Sequence, residues 1–158
     1  MLEKLILYFV CKTKGHITKT QLVKFLYLAD LYAVKWTARQ LTELDWCYYS
    51  HGPWEQGIDE ALTAMSKDIC CHKEGDAIMI GVQDTSLFDA GFDFSPGLEL
   101  ILENIRKEWA GSGKLSELLD YVYATAPMIE AKKKFKPEHK APLNLFLERE
   151  KVLKEIGA

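Results

Sequence analysis

Residues 18–36 read TKTQLVKFLYLADLYAVKW, and this stretch predicts the helix around which the rest of the chain folds. Thr18 followed by Gln21 matches a capping box, which opens a helix by pairing side chains with free backbone groups. Apolar residues then recur at helical spacing over more than one face, so the helix is expected to be central and buried on several sides. The residues expected to be buried are Leu22, Phe25, Leu26, Leu28, Ala29, Tyr32, Ala33 and Trp36.

On the amino-terminal side, Leu2 to Val10 predicts a first amphipathic helix that ends at Lys14-Gly15, because glycine favours helix termination. On the carboxy-terminal side, the aromatic run Leu44 to Tyr49 predicts a strand. Gly52-Pro53 follows, and it predicts a turn from that strand into a helix with Pro53 in its first turn and Trp54 and the Ile58 to Met65 segment on its buried face.

Beyond this junction the pattern predicts a hairpin and further helices. Ile69 to His72 and Ala77 to Val82 flank Glu74-Gly75-Asp76, which is typical of two antiparallel strands joined by a tight turn. Ser95-Pro96 predicts a helix start. A further helix is expected over Leu115 to Tyr123, which Pro127 interrupts or ends, and a charged helical tail over Leu143 to Ile156.

This order of elements predicts a mainly helical α+β fold. Helix, helix, strand, helix and hairpin resemble a winged helix, so we expect a winged-helix-like core with a small antiparallel β element and additional C-terminal helices. With 158 residues, the chain is expected to form a single domain over 1–158.

Composition points to a cytoplasmic protein. The chain is 48% hydrophobic and 27% charged, and no apolar run approaches the roughly 20 residues that a membrane span needs. The opening residues lack a signal-peptide cleavage site, so neither secretion nor a membrane partner is expected. The four cysteines show no disulfide-rich spacing, which favours reduced thiols.

Charge argues against the DNA-reading role of a winged helix. The helix after the junction carries Glu55, Asp59 and Glu60 before its first cation, Lys67, and the net charge is −3. Duplex binding depends on cations that neutralise phosphates, so nucleic acid is not the expected partner. A DNA-binding regulator remains the alternative hypothesis, and the cations that it would use are Lys12, Lys14, Lys19 and the cluster Lys132 to Lys136, which His139 and Lys140 extend.

Catalytic and metal signals are weak. Cys47, His51, Cys70, Cys71 and His72 could suggest a zinc site, but Cys71 points to the opposite strand face and no C-x-x-C pair occurs. No phosphate-binding loop, dinucleotide fingerprint or nucleophile elbow is present. We therefore expect no catalytic residues, no metal and no cofactor, and a hydrolase based on a Cys or His near Gly52 stays a third hypothesis.

Three segments together resemble the SocA-like Panacea antitoxin domain, a family that includes phage-associated GepA-like proteins. They are Leu22 to Asp30, the Gly52-Pro53 junction with its following helix, and Leu115 to Leu118 with the segment to Pro127. The resemblance covers Met1 to Ala131 and leaves 132–158 as a basic loop and C-terminal helix. Two departures concern partner identity. Trp54 stands where members have a small aliphatic residue, and Tyr121 or Tyr123 and Met128 stand where members have a His and a Trp.

The resemblance implies a non-enzymatic antitoxin that neutralises a cognate toxin by direct binding, or in some members an adaptor that delivers the toxin to a protease. Its motif positions are Lys24, Tyr27, Asp30, Gly52 and Pro53. The first three lie three residues apart on one helical stripe, where they could support the junction or contact a partner. The family-motif and candidate partner-binding residues are Lys24, Tyr27, Asp30, Tyr49, His51, Gly52, Pro53 and Trp54.

Overall fold

A computed structural model of the chain describes residues 1–89, 91–136 and 139–157. The helices in this part of the chain are α1 (Leu2–Lys12), α2 (Lys19–Thr37), α3 (Gln56–Ala64), α4 (Pro96–Trp109), α5 (Leu115–Tyr123), α6 (Ala126–Lys134) and α7 (Phe146–Glu155). The strands are β1 (Ile17–Thr18), β2 (Cys47–Tyr49), β3 (Gly52–Trp54), β4 (Ile69–Glu74), β5 (Ala77–Val82) and β6 (Ala141–Pro142). The predicted mainly helical α+β fold is confirmed.

Helix α2 is the central element, as its sequence predicts. The Thr18 hydroxyl accepts from the Gln21 backbone N–H while the Gln21 side chain accepts from the Thr18 N–H, so the capping box is present. Every residue from Gln21 to Leu31 is buried, and the helix packs against α1, α4, α5 and α7. The expectation for Trp36 is wrong. It is 62% exposed, because the last turn of α2 extends beyond the core.

The first sheet completes a winged-helix arrangement with α1, α2 and α3. Its strand order is β1-β5-β4, and all neighbours are antiparallel. Strands β4 and β5 form the predicted hairpin around Gly75, whose φ of +61° suits the tight turn. The predicted winged-helix-like core is therefore present, with β4 and β5 as the wing.

A second sheet is inserted between α2 and α3, and it corrects the prediction for the Gly52-Pro53 junction. Strand β3 pairs with β2 as a hairpin, with Pro53 opposite Tyr48, and α3 begins only at Gln56. Proline is tolerated here because β3 is an edge strand in the order β3-β2-β6 and, among the described strands, has no neighbour on its outer side. Trp54 consequently lies on a strand rather than on the buried face of a helix.

The C-terminal part of the chain supplies β6, the third strand of this sheet, and the helices α5 and α7, which pack on α2. The predicted helix over Leu115 to Tyr123 is α5, and Pro127 marks an interruption rather than the end of the helical segment, because it lies in the first turn of α6. The Ala126 N–H at the start of α6 donates to the Glu148 carboxylate of α7 over 2.8 Å. Helix α7 packs on α2, so the predicted charged tail is a helix that lies against the central helix and buries Glu148.

Asp30 of α2 fixes the loop that leads into β2. Its carboxylate is 0% exposed and accepts hydrogen bonds from the backbone N–H groups of Leu41 and Thr42, each at 3.0 Å, from the Thr42 hydroxyl, and from the Trp46 indole N–H at 2.8 Å. Burial raises the pKa of Asp30, and these four donors oppose that shift.

We expect Asp30→Asn to lower the free energy of unfolding by about 2–4 kcal/mol, because an amide turns a donor toward groups that are themselves donors. Urea denaturation followed by tryptophan fluorescence measures the change. Asp45→Asn is the matched control, since Asp45 is exposed on the same loop, and we expect it to change stability by less than about 0.5 kcal/mol. Equal effects of the two substitutions would contradict the role given to Asp30.

Candidate partner-binding site

The β2–β3 hairpin forms one wall of an open cavity of about 410 Å³. The start of α2 forms its floor, and the residues at the start of β5 form the opposite wall. The chain turns between the two strands at Ser50 and His51, which line the cavity, and Ser50 has a φ of +23° at the edge of the left-handed region. The cavity thus lies between the two sheets, and the hairpin decides its shape.

Lys24 lies at the base of this cavity with its side chain almost wholly enclosed. Only 5% of the residue is exposed, and Nζ donates to the His51 carbonyl over 3.1 Å. Burial lowers the pKa of Lys24 to about 8, because water that would solvate the ammonium is excluded. Among the residues that the structure describes, none forms an ion pair with Lys24.

Tyr27 and Asp30, the other motif residues of α2, face the interior. The Tyr27 hydroxyl hydrogen-bonds with Thr125 over 2.8 Å, and its burial raises the pKa of Tyr27. Both residues are 0% exposed. Their side chains therefore join α2 to the α5–α6 corner and to the loop before β2, and they offer no surface to a partner.

Gly52 allows the hairpin to approach α2 closely. Its φ is +116°, a value that glycine adopts without strain, and a Cβ at this position would lie 3.2 Å from the Tyr123 hydroxyl oxygen and 3.4 Å from Lys24 Nζ. Pro53 is buried beside it. The Gly-Pro pair is thus a close-approach element, which differs from the strand-to-helix corner that the sequence predicted.

Trp54 and Tyr49 form an accessible aromatic layer above these buried residues. Their ring centroids are 5.7 Å apart, and Lys140 Nζ lies 4.4 Å from the Trp54 ring centre and 5.6 Å from that of Tyr49. Tyr49 is 40% exposed and Trp54 is half-buried. Trp54 also lines a second cavity, of about 470 Å³, on the far side of the hairpin.

The sequence-predicted site residues consequently fall into three groups. Lys24, Gly52 and Pro53 form the floor and the close approach of the hairpin, while Tyr49, His51 and Trp54 lie around the cavity at the surface. Tyr27 and Asp30 lie apart from the cavity, inside the core. Sequence reasoning missed Tyr123 beneath Gly52 and treated Lys140 only as part of a basic cluster. Lys140 reaches the hairpin because it directly precedes β6, whose Pro142 pairs with Cys47 of β2. The sequence contains no local signal for this long-range pairing.

The thiol near the hairpin shows no sign of activation. Burial raises the pKa of Cys47, whose Sγ lies 3.3 Å from the Trp54 carbonyl, and burial likewise raises the pKa of Cys71. A raised pKa leaves less of the thiolate that nucleophilic catalysis needs. Within the described ranges, no group of three or more His, Cys, Asp or Glu residues is arranged to hold a metal ion.

The fold and the site define a mainly helical α+β protein with a winged-helix-like core and a hairpin-lined cavity. A comparison with protein-family models matches residues 22–80 to the family described as antitoxin SocA-like, Panacea domain. The predicted resemblance is confirmed for residues 22–80, which match this family model, and the match supports an antitoxin-type role in general. The wider resemblance, to Ala131, stays a prediction.

Parallel comparisons matched no curated protein and no solved structure. The matched segment runs from α2 through both hairpins to β5, so it contains all eight residues predicted from the sequence as motif or binding positions.

In the described part of the chain, no helix is long and apolar enough to cross a membrane.

We expect Gly52→Ala to lower the free energy of unfolding by about 1–3 kcal/mol more than Gly75→Ala does. Both glycines have positive φ, but a Cβ at Gly75 would meet nothing within 4 Å, whereas one at Gly52 would crowd Tyr123 and Lys24. Chemical denaturation of the two variants measures the difference. Equal losses would show that the close approach at Gly52 contributes nothing beyond the backbone conformation.

Proposed function

We propose that this protein neutralises a cognate toxin by binding it directly, and that the toxin contacts the surface around the β2–β3 hairpin. We call this the hairpin surface and define it as Tyr49, His51, Trp54, Ile78 and Lys140. The proposal is supported by the antitoxin family match and by one structural observation: a half-buried tryptophan, packed under a lysine, lines two neighbouring cavities.

The chemistry of the hairpin surface suits a protein partner. Protein interfaces concentrate their binding energy in a few aromatic and cationic side chains surrounded by less important contacts. Tyr49 and Trp54 supply aromatic area that is already held in place by strand pairing and by Lys140, so little side-chain freedom is lost on binding. Ile78, which is also exposed, extends this apolar area across the cavity.

The decisive experiment is co-expression with the product of the adjacent gene. The proposal expects relief of growth inhibition and a complex that co-purifies, and it fails if neither is seen. Two modes of neutralisation are then separated by the half-life of the toxin in the cell. Sequestration leaves the half-life unchanged or longer, whereas an adaptor that delivers the toxin to a protease shortens it.

Trp54→Ala is expected to weaken the complex by roughly 30-fold or more, the typical loss when a central interface tryptophan is removed. Isothermal titration calorimetry measures the dissociation constant, and the growth assay should show a parallel loss of protection. The matched control is Trp36→Ala, because Trp36 is also exposed but lies at the far end of α2. We expect less than a threefold change for the control.

The alternative function is DNA binding, which the winged-helix arrangement of β1-β5-β4 with α1, α2 and α3 favours. Charge opposes it. Lys19, one of the candidate cations, forms an ion pair with Asp59, and exposed Glu60 adds negative charge on α3. We expect no mobility shift with duplex DNA at low salt, where electrostatic binding is strongest. A shift that weakens steeply with salt would favour the regulator instead.

A further inference from the structure

The Lys24 ammonium has hydrogen-bonding capacity that the described residues do not use. A lysine ammonium carries three N–H donors, and one of them is given to the His51 carbonyl. An enclosed charge is costly unless it is paired and hydrogen-bonded. Lys24 therefore holds a positive charge at the base of an open cavity without a carboxylate partner among the described residues.

The charged and titratable groups around the cavity leave this charge uncompensated. Lys19, on the same helix, is neutralised by Asp59. Asp76 lines the opposite wall but forms no ion pair with Lys24, and His51, Tyr49 and the nearby Tyr123 complete the titratable groups. Lys140 faces the aromatic rings on the outer side of the hairpin.

We infer that the cavity receives the carboxylate of an Asp or Glu side chain of the toxin, which accepts hydrogen bonds from the Lys24 ammonium. This inference rests on the proposed function. A volume of about 410 Å³ is ample for an acidic side chain, and Val23, Pro53, Trp54 and Ile78 offer apolar walls for its methylene groups. An anion in this place supplies the opposite charge that Lys24 does not find among the described residues.

A side-chain carboxylate fits better than a chain-terminal one. Chain termini are typically captured by a nest of successive backbone N–H groups. Here the ligating group is a single ammonium at the base of a cavity flanked by aromatic and aliphatic side chains, which suits one acidic side chain inserted from a folded surface.

Protonation of Lys24 then controls affinity at alkaline pH. The pKa of Lys24 in the free protein is about 8, and a bound carboxylate raises that pKa because it stabilises the ammonium. Affinity attributable to Lys24 is therefore complete below pH 8. Above it, a proton must be taken up on binding, so the affinity falls by up to about tenfold per pH unit.

The test is the dissociation constant of the toxin complex at pH 6.5, 7.5, 8.5 and 9.5 for wild type, Lys24→Met and Lys19→Met. We expect wild type and Lys19→Met to lose affinity above pH 8 relative to Lys24→Met. Lys24→Met should bind at least tenfold more weakly at pH 6.5 and lack this component of the pH profile, since every other titratable group is unchanged. A pH profile shared by all three proteins would overturn the inference.

Double-mutant cycles identify the toxin residue whose carboxylate contacts Lys24. Individual Asp→Asn and Glu→Gln substitutions are combined with Lys24→Met in double-mutant cycles, which isolate a pairwise contact. One of these toxin substitutions should lower the affinity for wild type but cause no further loss of affinity for Lys24→Met. A toxin whose C-terminus is extended by extra residues tests the other source. If only this toxin binds wild type and Lys24→Met equally well, the carboxylate is that of the toxin's C-terminus and the assignment to a side chain is wrong.

Two further measurements show why a result fails. The melting temperature detects misfolding, and an NMR titration tests this inference even if the proposed function is wrong. The melting temperature of Lys24→Met shows whether the variant folds, because loss of the enclosed unpaired charge stabilises it while loss of the bond to the His51 carbonyl destabilises it. Lys24→Gln, a neutral variant whose amide is a donor, takes its place if Lys24→Met does not fold. If wild type forms no toxin complex, the proposed function fails and the cavity is probed alone. Acetate, compared with chloride at equal ionic strength, should raise the pKa of Lys24 measured by NMR, and equal values would overturn the inference.

Discussion

The complete burial of α2 is the constraint on which the rest of the structure depends. No side chain from Gln21 to Leu31 reaches solvent freely, so the polar groups on this stretch must find partners inside the protein. They recur every third residue as Gln21, Lys24, Tyr27 and Asp30. Each contacts a different distant segment: the Gly111 carbonyl after α4, the His51 carbonyl at the hairpin tip, Thr125 at the α5–α6 corner, and the 41–46 loop.

This polar stripe explains why motif residues that look suited to partner contact are mostly internal. Three of its members hydrogen-bond to groups within the domain, and these bonds hold the surrounding elements at defined positions on α2. Lys24 differs because its charge has no opposite partner among the described residues and because it borders an open cavity. The same helix therefore supports the fold through most of its polar residues and offers chemistry to a ligand through one.

The hairpin surface depends on that support. Gly52 lets β3 approach α2, Lys24 holds the turn through the His51 carbonyl, and the pairing of β2 with β6 brings Lys140 over the aromatic rings. Trp54 is consequently displayed on a strand that backbone pairing and Lys140 hold in place, rather than on an unpaired loop. Its place in the interface, if the proposed toxin complex forms, reflects preorganisation as much as exposed area.

Local patterns in the sequence were sufficient for the capping box at Thr18, the wing hairpin at Gly75, the cap at Ser95 and the central helix, because each depends on residues within a few positions of one another. Only the tertiary structure decided that Gly52-Pro53 belongs to an edge strand, that Pro142 pairs with Cys47, and that Trp54 meets Lys140. Proline and glycine are ordinary breakers when their neighbours along the chain alone are considered. Their acceptance into strands depends on which side of the sheet is left unpaired, and residues more than ninety positions apart along the chain determine that.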